Sequence, residues 1–394
     1  MDLAIKSPVL KTGNTATSPT NTIRVMVVDD SAVVRGLVSR WVGEESDIEI
    51  VARHSNGKKA VDDVALSKPD IIILDVEMPV MDGLEALPLL LKKQSGAKVI
   101  MASTLTQRNA EISMKALSLG ATDYIPKPDS NSGITTSASF RNDLIARIRS
   151  IGGRCVGTQA KVLKSGITSV GSIKGAGVKA AGAKAKLTAG KKDSPPKLRP
   201  FSTIAPRVLL VGSSTGGPQA LVELFKSIAP KIGNIPILVT QHMPATFTAI
   251  LAKHLADASG RASAEAVHGE ALKPGTIYVA PGGYHMRLVP ASGGAEIALD
   301  QGPEVNFCRP AVDPLFESAA KIYRSGILAT ILTGMGHDGA NGGRAIADAG
   351  GSVIAQDEET SVVWGMPGAA AAAGICSAIL PLPQIGPKIN TLLK

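Results

Sequence analysis

Ser214, His242 and Asp338 are residues of this 394-residue chain whose types and positions could carry out one reaction together. The stretch from Val208 to Gly217 reads VLLVGSSTGG, an apolar run that breaks into Gly212-Ser213-Ser214-Thr215-Gly216. This fits a nucleophile elbow, G-x-S-x-G, in which glycines flank a serine because the turn is too tight for side chains. The frame selects Ser214 over Ser213, since a nucleophile at 213 would need glycine where Val211 and Thr215 stand. A helix after the turn would offer backbone N–H groups to a developing negative charge. Two further apolar runs supply partners. Ile235 to Thr240 leads into Gln241-His242-Met243-Pro244, and Ile327 to Leu332 opens into Thr333-Gly334-Met335-Gly336-His337-Asp338-Gly339. A serine hydroxyl is a poor nucleophile until an imidazole takes its proton, and a carboxylate fixes that imidazole's tautomer. General base assistance contributes about 10²–10⁴ in rate. Spacing alone leaves His337 as a rival base, Asp313 as a rival carboxylate, and a phosphate-binding turn as the reading without catalysis. The order Ser…His…Asp differs from that of α/β-hydrolases, so that fold is not implied.

A second constellation lies nearer the N-terminus. Asp29 and Asp30 end one apolar run and Asp75 ends another, ahead of Val76-Glu77-Met78-Pro79. Three acids brought to one point repel each other unless a cation sits among them, and Mg²⁺ suits because it accepts carboxylates, waters and phosphate oxygens. Ser103 and Lys127 follow later runs, where a hydroxyl and an ammonium could meet a phosphoryl group.

The elements that must position these residues are short strands alternating with helices. Ile23 to Val28, Ile71 to Leu74, Val99 to Ala102 and a run near Ala121 read as strands, and Ser31 to Val42 and Asn109 to Leu119 read as helices. Such alternation implies a parallel sheet covered on both faces. In open sheets of that kind function collects beyond the carboxyl ends of the strands, where all these residues fall. The expected architecture is α/β throughout: a five-stranded, flavodoxin-like parallel sheet, then a larger doubly wound, Rossmann-like domain with its site at the switch point.

Residues 23–150 resemble response-regulator receiver domains, on the strength of Asp29-Asp30, Asp75-Val76-Glu77-Met78-Pro79, Ser103 and Lys127-Pro128. Residues 204–394 resemble the catalytic domain of chemotaxis protein-glutamate methylesterases of the CheB type, in GSSTGG, TQHMP, APGGYHM, LTGMGHDGA and QDEETSVVWGMP. The resemblance implies that Asp75 accepts phosphate from a histidine kinase. It implies that Asp30, Asp75 and the Glu77 carbonyl hold Mg²⁺ with Asp29 nearby, and that Ser103, Tyr124 and Lys127 read out the phosphate. It further implies Ser214, His242 and Asp338 as nucleophile, base and orienting acid, Met335 N–H as an oxyanion contributor, and Thr215 beside the nucleophile. The implied reaction is cofactor-free hydrolysis of glutamate γ-methyl esters on methylated chemoreceptors, with deamidation of selected glutamines. The unphosphorylated receiver would dock over the site, in a cytoplasmic protein recruited to receptor assemblies. Two departures stand out. His337 occupies the position where the family has asparagine, and Asn306-Phe307-Cys308-Arg309-Pro310 lacks a histidine expected near Cys308. His285, in Pro281-Gly282-Gly283-Tyr284-His285, is either a site-edge residue or a structural one.

Composition bounds the rest. The net charge of +9 concentrates in residues 151–205, where eleven Lys or Arg face the single acid Asp193, leaving the remainder close to neutral. Residues 1–22 are expected as a disordered tail and 151–203 as a flexible basic linker rich in Ala, Gly, Ser and Lys. A coil of ~55 residues would place its ends roughly 40–45 Å apart. A basic tether could touch anionic lipid or nucleic acid, but with no helix-turn-helix pattern in the C-terminal half a DNA-binding regulator is disfavoured. No apolar run reaches the ~18 residues that predict a membrane span. Cys155, Cys308 and Cys376 propose neither a disulfide framework nor a zinc site, and a catalytic Cys308 stands as an alternative. A non-catalytic alternative makes the C-terminal half an interaction domain, and the chain a phosphorylation-dependent binding switch.

Overall fold

The computed structural model describes residues 22–104, 106–127, 134–155, 197–228 and 235–393. The expected tail, apart from Thr22, and most of the expected linker lie outside the described residues. The first sheet is built from β1 (Ile23–Val28), α1 (Ala32–Gly43), β2 (Ile48–His54), α2 (Gly57–Ser67), β3 (Ile71–Asp75), α3 (Gly83–Lys93), β4 (Lys98–Ser103), α4 (Gln107–Ser118), β5 (Asp123–Pro126) and α5 (Ile134–Cys155). Its strands lie parallel in the order β2-β1-β3-β4-β5, the flavodoxin-like arrangement. β3 (IIILD) is buried at every position, as a central strand covered on both faces must be. The chain leaves it into a tight loop because Asp82 and Glu85 cap α3 reciprocally.

The second sheet has seven strands, all parallel. Its elements are β6 (Val208–Ser213), α6 (Gly217–Ile228), β7 (Ile237–Gln241), α7 (Ala245–Ser259), β8 (Ser263–Glu265) and β9 (Ile277–Val279). A separate antiparallel hairpin, β10 (His285–Ala291) and β11 (Gly294–Asp300), follows. Then come α8 (Val312–Tyr323), β12 (Ile327–Ile331), α9 (Ala340–Asp348), β13 (Ser352–Gln356), α10 (Met366–Ala372), β14 (Ala378–Leu380) and α11 (Leu382–Leu392). The order β14-β13-β12-β6-β7-β9-β8 grows outward in one direction from β6 and then, from β12, in the other. β6 and β12 therefore flank the switch point, where helices diverge to opposite faces and leave a crevice.

The domain edges differ in detail from expectation. α5 runs on to Cys155, past the expected end at Ser150. At the other edge the chain is anchored from Lys197 onward. Arg199 N–H donates to Cys376 O at 2.8 Å, Ser202 Oγ to Ser325 O at 2.9 Å, and Lys388 sits over the Phe201 ring. The two halves also touch. The Tyr124 ring of β5 stacks on Phe247 of α7, centroids 4.3 Å apart and planes 12° from parallel. Gln219 of α6 donates its Nε2 hydrogens to Leu117 O and Ala121 O, each at 2.5 Å.

Candidate active site

Ser214 lies one residue past β6, half-buried, in a turn whose shape is set by its neighbours. Gly216 adopts φ +74°, which a side chain would resist, and a Cβ there would run into Val362. Gly334 presses so close that a Cβ on it would come within 2.8 Å of Ser214 Cβ. Gln241, at the end of β7, ties the elbow to the histidine strand. Its Oε1 accepts from Ser213 Oγ at 2.7 Å, and its Nε2 donates to Ser214 O at 2.9 Å. His242 N–H donates in turn to Ser213 O at 3.1 Å.

His242 and Asp338 meet across the switch point, with Nε2 and Oδ2 2.7 Å apart. Asp338 is 1% exposed and is surrounded by donors. It accepts from Val312 N–H at 2.5 Å, Asp313 N–H at 3.1 Å, Gly339 N–H at 3.0 Å and Asn306 Nδ2 at 3.0 Å. Burial alone would raise its pKa, but the bond from His242 and the N–H groups at the start of α8 outweigh that and hold it down at about 2. For His242 burial disfavours the charged ring, yet the bonds to Asp338 and Cys308 outweigh it and push the pKa up. Since Nε2–H is donated to a carboxylate, Nδ1 carries the lone pair when the ring is neutral; Cys308 Sγ stands 3.4 Å from it. Among the described residues no hydrogen bond yet joins Ser214 Oγ to His242.

The rivals separate cleanly. Asp313 does not reach His242; it accepts from Gly339 and Gly342 N–H and from Asn306 Nδ2, bracing the loop that carries Asp338. Its pKa is pushed up, chiefly by burial. His337 is exposed. His285 is 1% exposed and bridges Pro303 O and Ala311 N–H, so its position is structural. Met335 is half-buried, and among the described residues its N–H has no acceptor. Thr215 is buried next to the nucleophile. Gln241, Asn306 and the Cys308 contact went unassigned in the sequence, although all three residues stood inside quoted stretches.

At the other sheet, carboxylate oxygens of Asp29, Asp30 and Asp75 lie within 4.8 Å of one another. Lys127 Nζ reaches Asp29 and Asp75 at 2.7 Å each. Burial is the main cause that pushes the Asp75 carboxyl up, to about 6, against the pull of Lys127. Ser103 is buried at the end of β4 and accepts from Ser113 Oγ at 2.9 Å. The Glu77 side chain is exposed, 3.8 Å from Arg108. No helix among the described residues is long and apolar enough to cross a membrane.

Comparison with known proteins gives this geometry a lineage. A family model described as CheB methylesterase matches residues 209–389, and one described as response regulator receiver domain matches 25–138. The protein-glutamate methylesterase/protein-glutamine glutaminase of group 2 operon of Bradyrhizobium diazoefficiens is 56% identical over 94% of this chain and 94% of its own. The chain belongs to the CheB methylesterase family. A protein-glutamate methylesterase/protein-glutamine glutaminase of Rhodopseudomonas palustris is 54% identical over 96% of this chain and 97% of its own. Among solved structures, the CheB methylesterase catalytic domain of Thermotoga maritima is 42% identical, covering 48% of this chain and all of that one, with a TM-score of 0.46. In this CheB-family chain the receiver match precedes the methylesterase match.

Proposed function

We propose that this chain is a phosphorylation-gated protein-glutamate methylesterase, acting on methylated chemoreceptors and deamidating selected glutamines through the same serine. The observation that carries the reading is the 2.7 Å contact between His242 and a carboxylate held ionised by four other donors, beside the elbow of Ser214. Ser214 Oγ attacks the ester carbonyl carbon. Its proton passes to the ring nitrogen turned away from Asp338, Nδ1 in this structure, once the hydroxyl displaces the Cys308 thiol there. Asp338 steadies the imidazolium that forms. The oxyanion is met by the Met335 N–H, which has no other acceptor among the described residues. Collapse expels the methoxy group, which leaves as methanol with the proton from His242. Water, activated by the same ring, then frees the glutamate carboxylate. With a glutamine side chain the leaving group is ammonia and the product is again glutamate.

Asp75 is the proposed phosphoacceptor for a histidine kinase. The oxygens of Asp29, Asp30 and Asp75 suit a hard cation in number and kind, and Glu77 follows on the same loop. Mg²⁺ held there would neutralise charge on the incoming phosphoryl group, and Lys127 would pair with it. The gate is supported by contacts on both sides of the site. Tyr124 stacks on Phe247, close after His242, and Gln219, close after Ser214, is bonded to Leu117 O at the end of α4 and to Ala121 O just beyond it. Val363 belongs to the receiver's apolar cluster, with Met335 and Val362 packed against it. Phosphorylation must favour a state in which these contacts are weaker, since only a differential affinity shifts such an equilibrium. Methanol release from methylated receptor membranes tests the reading. Ser214→Ala is expected to lower it by on the order of 10³-fold or more, and release that survives the substitution would refute Ser214 as nucleophile.

A further inference from the structure

Val305 and Cys308 exchange two backbone hydrogen bonds, at 3.1 and 3.0 Å, around a two-residue turn made of Asn306 and Phe307. Both turn residues have positive φ, +54° and +62°. Turns of this hand suit asparagine followed by glycine, because only glycine takes the second position without strain. Asn306 has its reason, since its amide bridges Asp338 and Asp313. Cys308 has one too, against His242. Phe307 has neither reason. Its backbone conformation asks for glycine, and its side chain is 95% exposed, so neither folding nor packing accounts for an aromatic ring there.

Position supplies the missing reason. Phe307 directly precedes Cys308, which touches the catalytic imidazole, so a protein seated on Ser214 must pass close to the ring. The turn is held from both sides. Arg309 binds Gln301 O and Gly302 O through Nη1, and its own carbonyl accepts from Gly283 N–H at 3.0 Å. That second loop carries Tyr284, 39% exposed, in a chain with only 3% aromatic residues. A Cβ on its Gly282 would collide with Pro244 and Ala245, just after His242. Two exposed aromatic side chains are therefore borne on braced loops at one edge of the crevice.

We propose that Phe307 is a specificity-determining anchor, packing against apolar side chains on the substrate protein beside the ester-bearing glutamate, with Tyr284 as its neighbour. This rests on the methylesterase reading. It places the anchor's contribution in binding the receptor and not in the chemistry at Ser214.

The test compares wild type, Phe307→Gly and Phe307→Tyr as full chains with acetyl phosphate and Mg²⁺, on methylated receptor membranes. Phe307→Gly is expected to raise KM by about tenfold, the scale on which truncating an interface aromatic weakens binding. Its kcat should stay level and its Tm should rise as backbone strain is relieved. Phe307→Tyr should restore the wild-type KM. A Phe307→Gly enzyme with unchanged KM overturns the anchor while leaving the esterase intact. If wild type releases no methanol, the esterase reading fails and co-sedimentation with the same membranes decides the anchor: loss in Phe307→Gly keeps it, equality removes it. A smaller sedimenting species for Phe307→Gly than for wild type would assign the ring to self-association and likewise overturn it.

Discussion

Asp338 carries the chemistry of the proposed base, because every atom that could satisfy its charge is already aimed at it. His242, Asn306 and three backbone N–H groups converge on one buried carboxylate. The sign of the pH dependence follows. The negative charge stabilises imidazolium, so the base is protonated further up the pH scale than free imidazole, about 6.5. The acid limb of kcat/KM should therefore lie above that value, and Asp338→Asn should move it down while cutting activity by about 10⁴, as loss of the orienting carboxylate does elsewhere. An acid limb unmoved by Asp338→Asn would mean that this carboxylate does not set the base. The same group bears on folding. Its folded pKa, about 2, lies below the unfolded carboxylate value of about 3.9, so its stabilisation is full above that and lost as pH falls through about 2. Urea unfolding between pH 5 and 2 should show wild type losing a contribution that Asp338→Asn lacks throughout. Ser214 and Asp338 stood out as candidates because glycine-rich turns follow apolar runs, and His242 because it too follows such a run. The choice of Asp338 over Asp313 was not legible from spacing, as both sit near helix starts, and only the fold turns one toward His242.

Strand order does the work of bringing these side chains together. β6, β7 and β12 are adjacent although nearly a hundred residues separate β7 from the loop after β12. Periodicity revealed strands such as Ile327–Ile331, since a fully buried parallel strand is a plain apolar run. It did not single out β2, whose Glu49, Arg53 and His54 interrupt the run, or the β10–β11 hairpin, whose alternation is broken by the buried His285 and by Pro290. Gln241 escaped for another reason. Its worth lies in bonds to Ser213 and Ser214, across 27 or 28 residues, and contacts of that length leave no local mark. α6 then links the elbow to the receiver through Gln219. Gln219→Ala removes two hydrogen bonds, each contributing about 0.5–1.5 kcal/mol, and should raise methanol release without phosphodonor several-fold, up to about tenfold or more. Unchanged basal release would show that this contact does not hold the site closed.

For the molecule as a whole, the two family resemblances anticipated a receiver and a catalytic domain, and the two sheets and two family matches agree with that order. What no motif could convey is how the halves meet, because the Tyr124–Phe247 stack and the Val363 contact join residues far apart in the sequence. That junction is where phosphorylation at one sheet would reach a serine at the other. The deciding measurement is methanol release from methylated receptor membranes by wild type and Asp75→Ala, each with and without acetyl phosphate and Mg²⁺. A gated esterase gives low release from both proteins without phosphodonor, and a rise with it in wild type alone. Full activation of Asp75→Ala, or wild-type release indifferent to phosphodonor, would contradict the account.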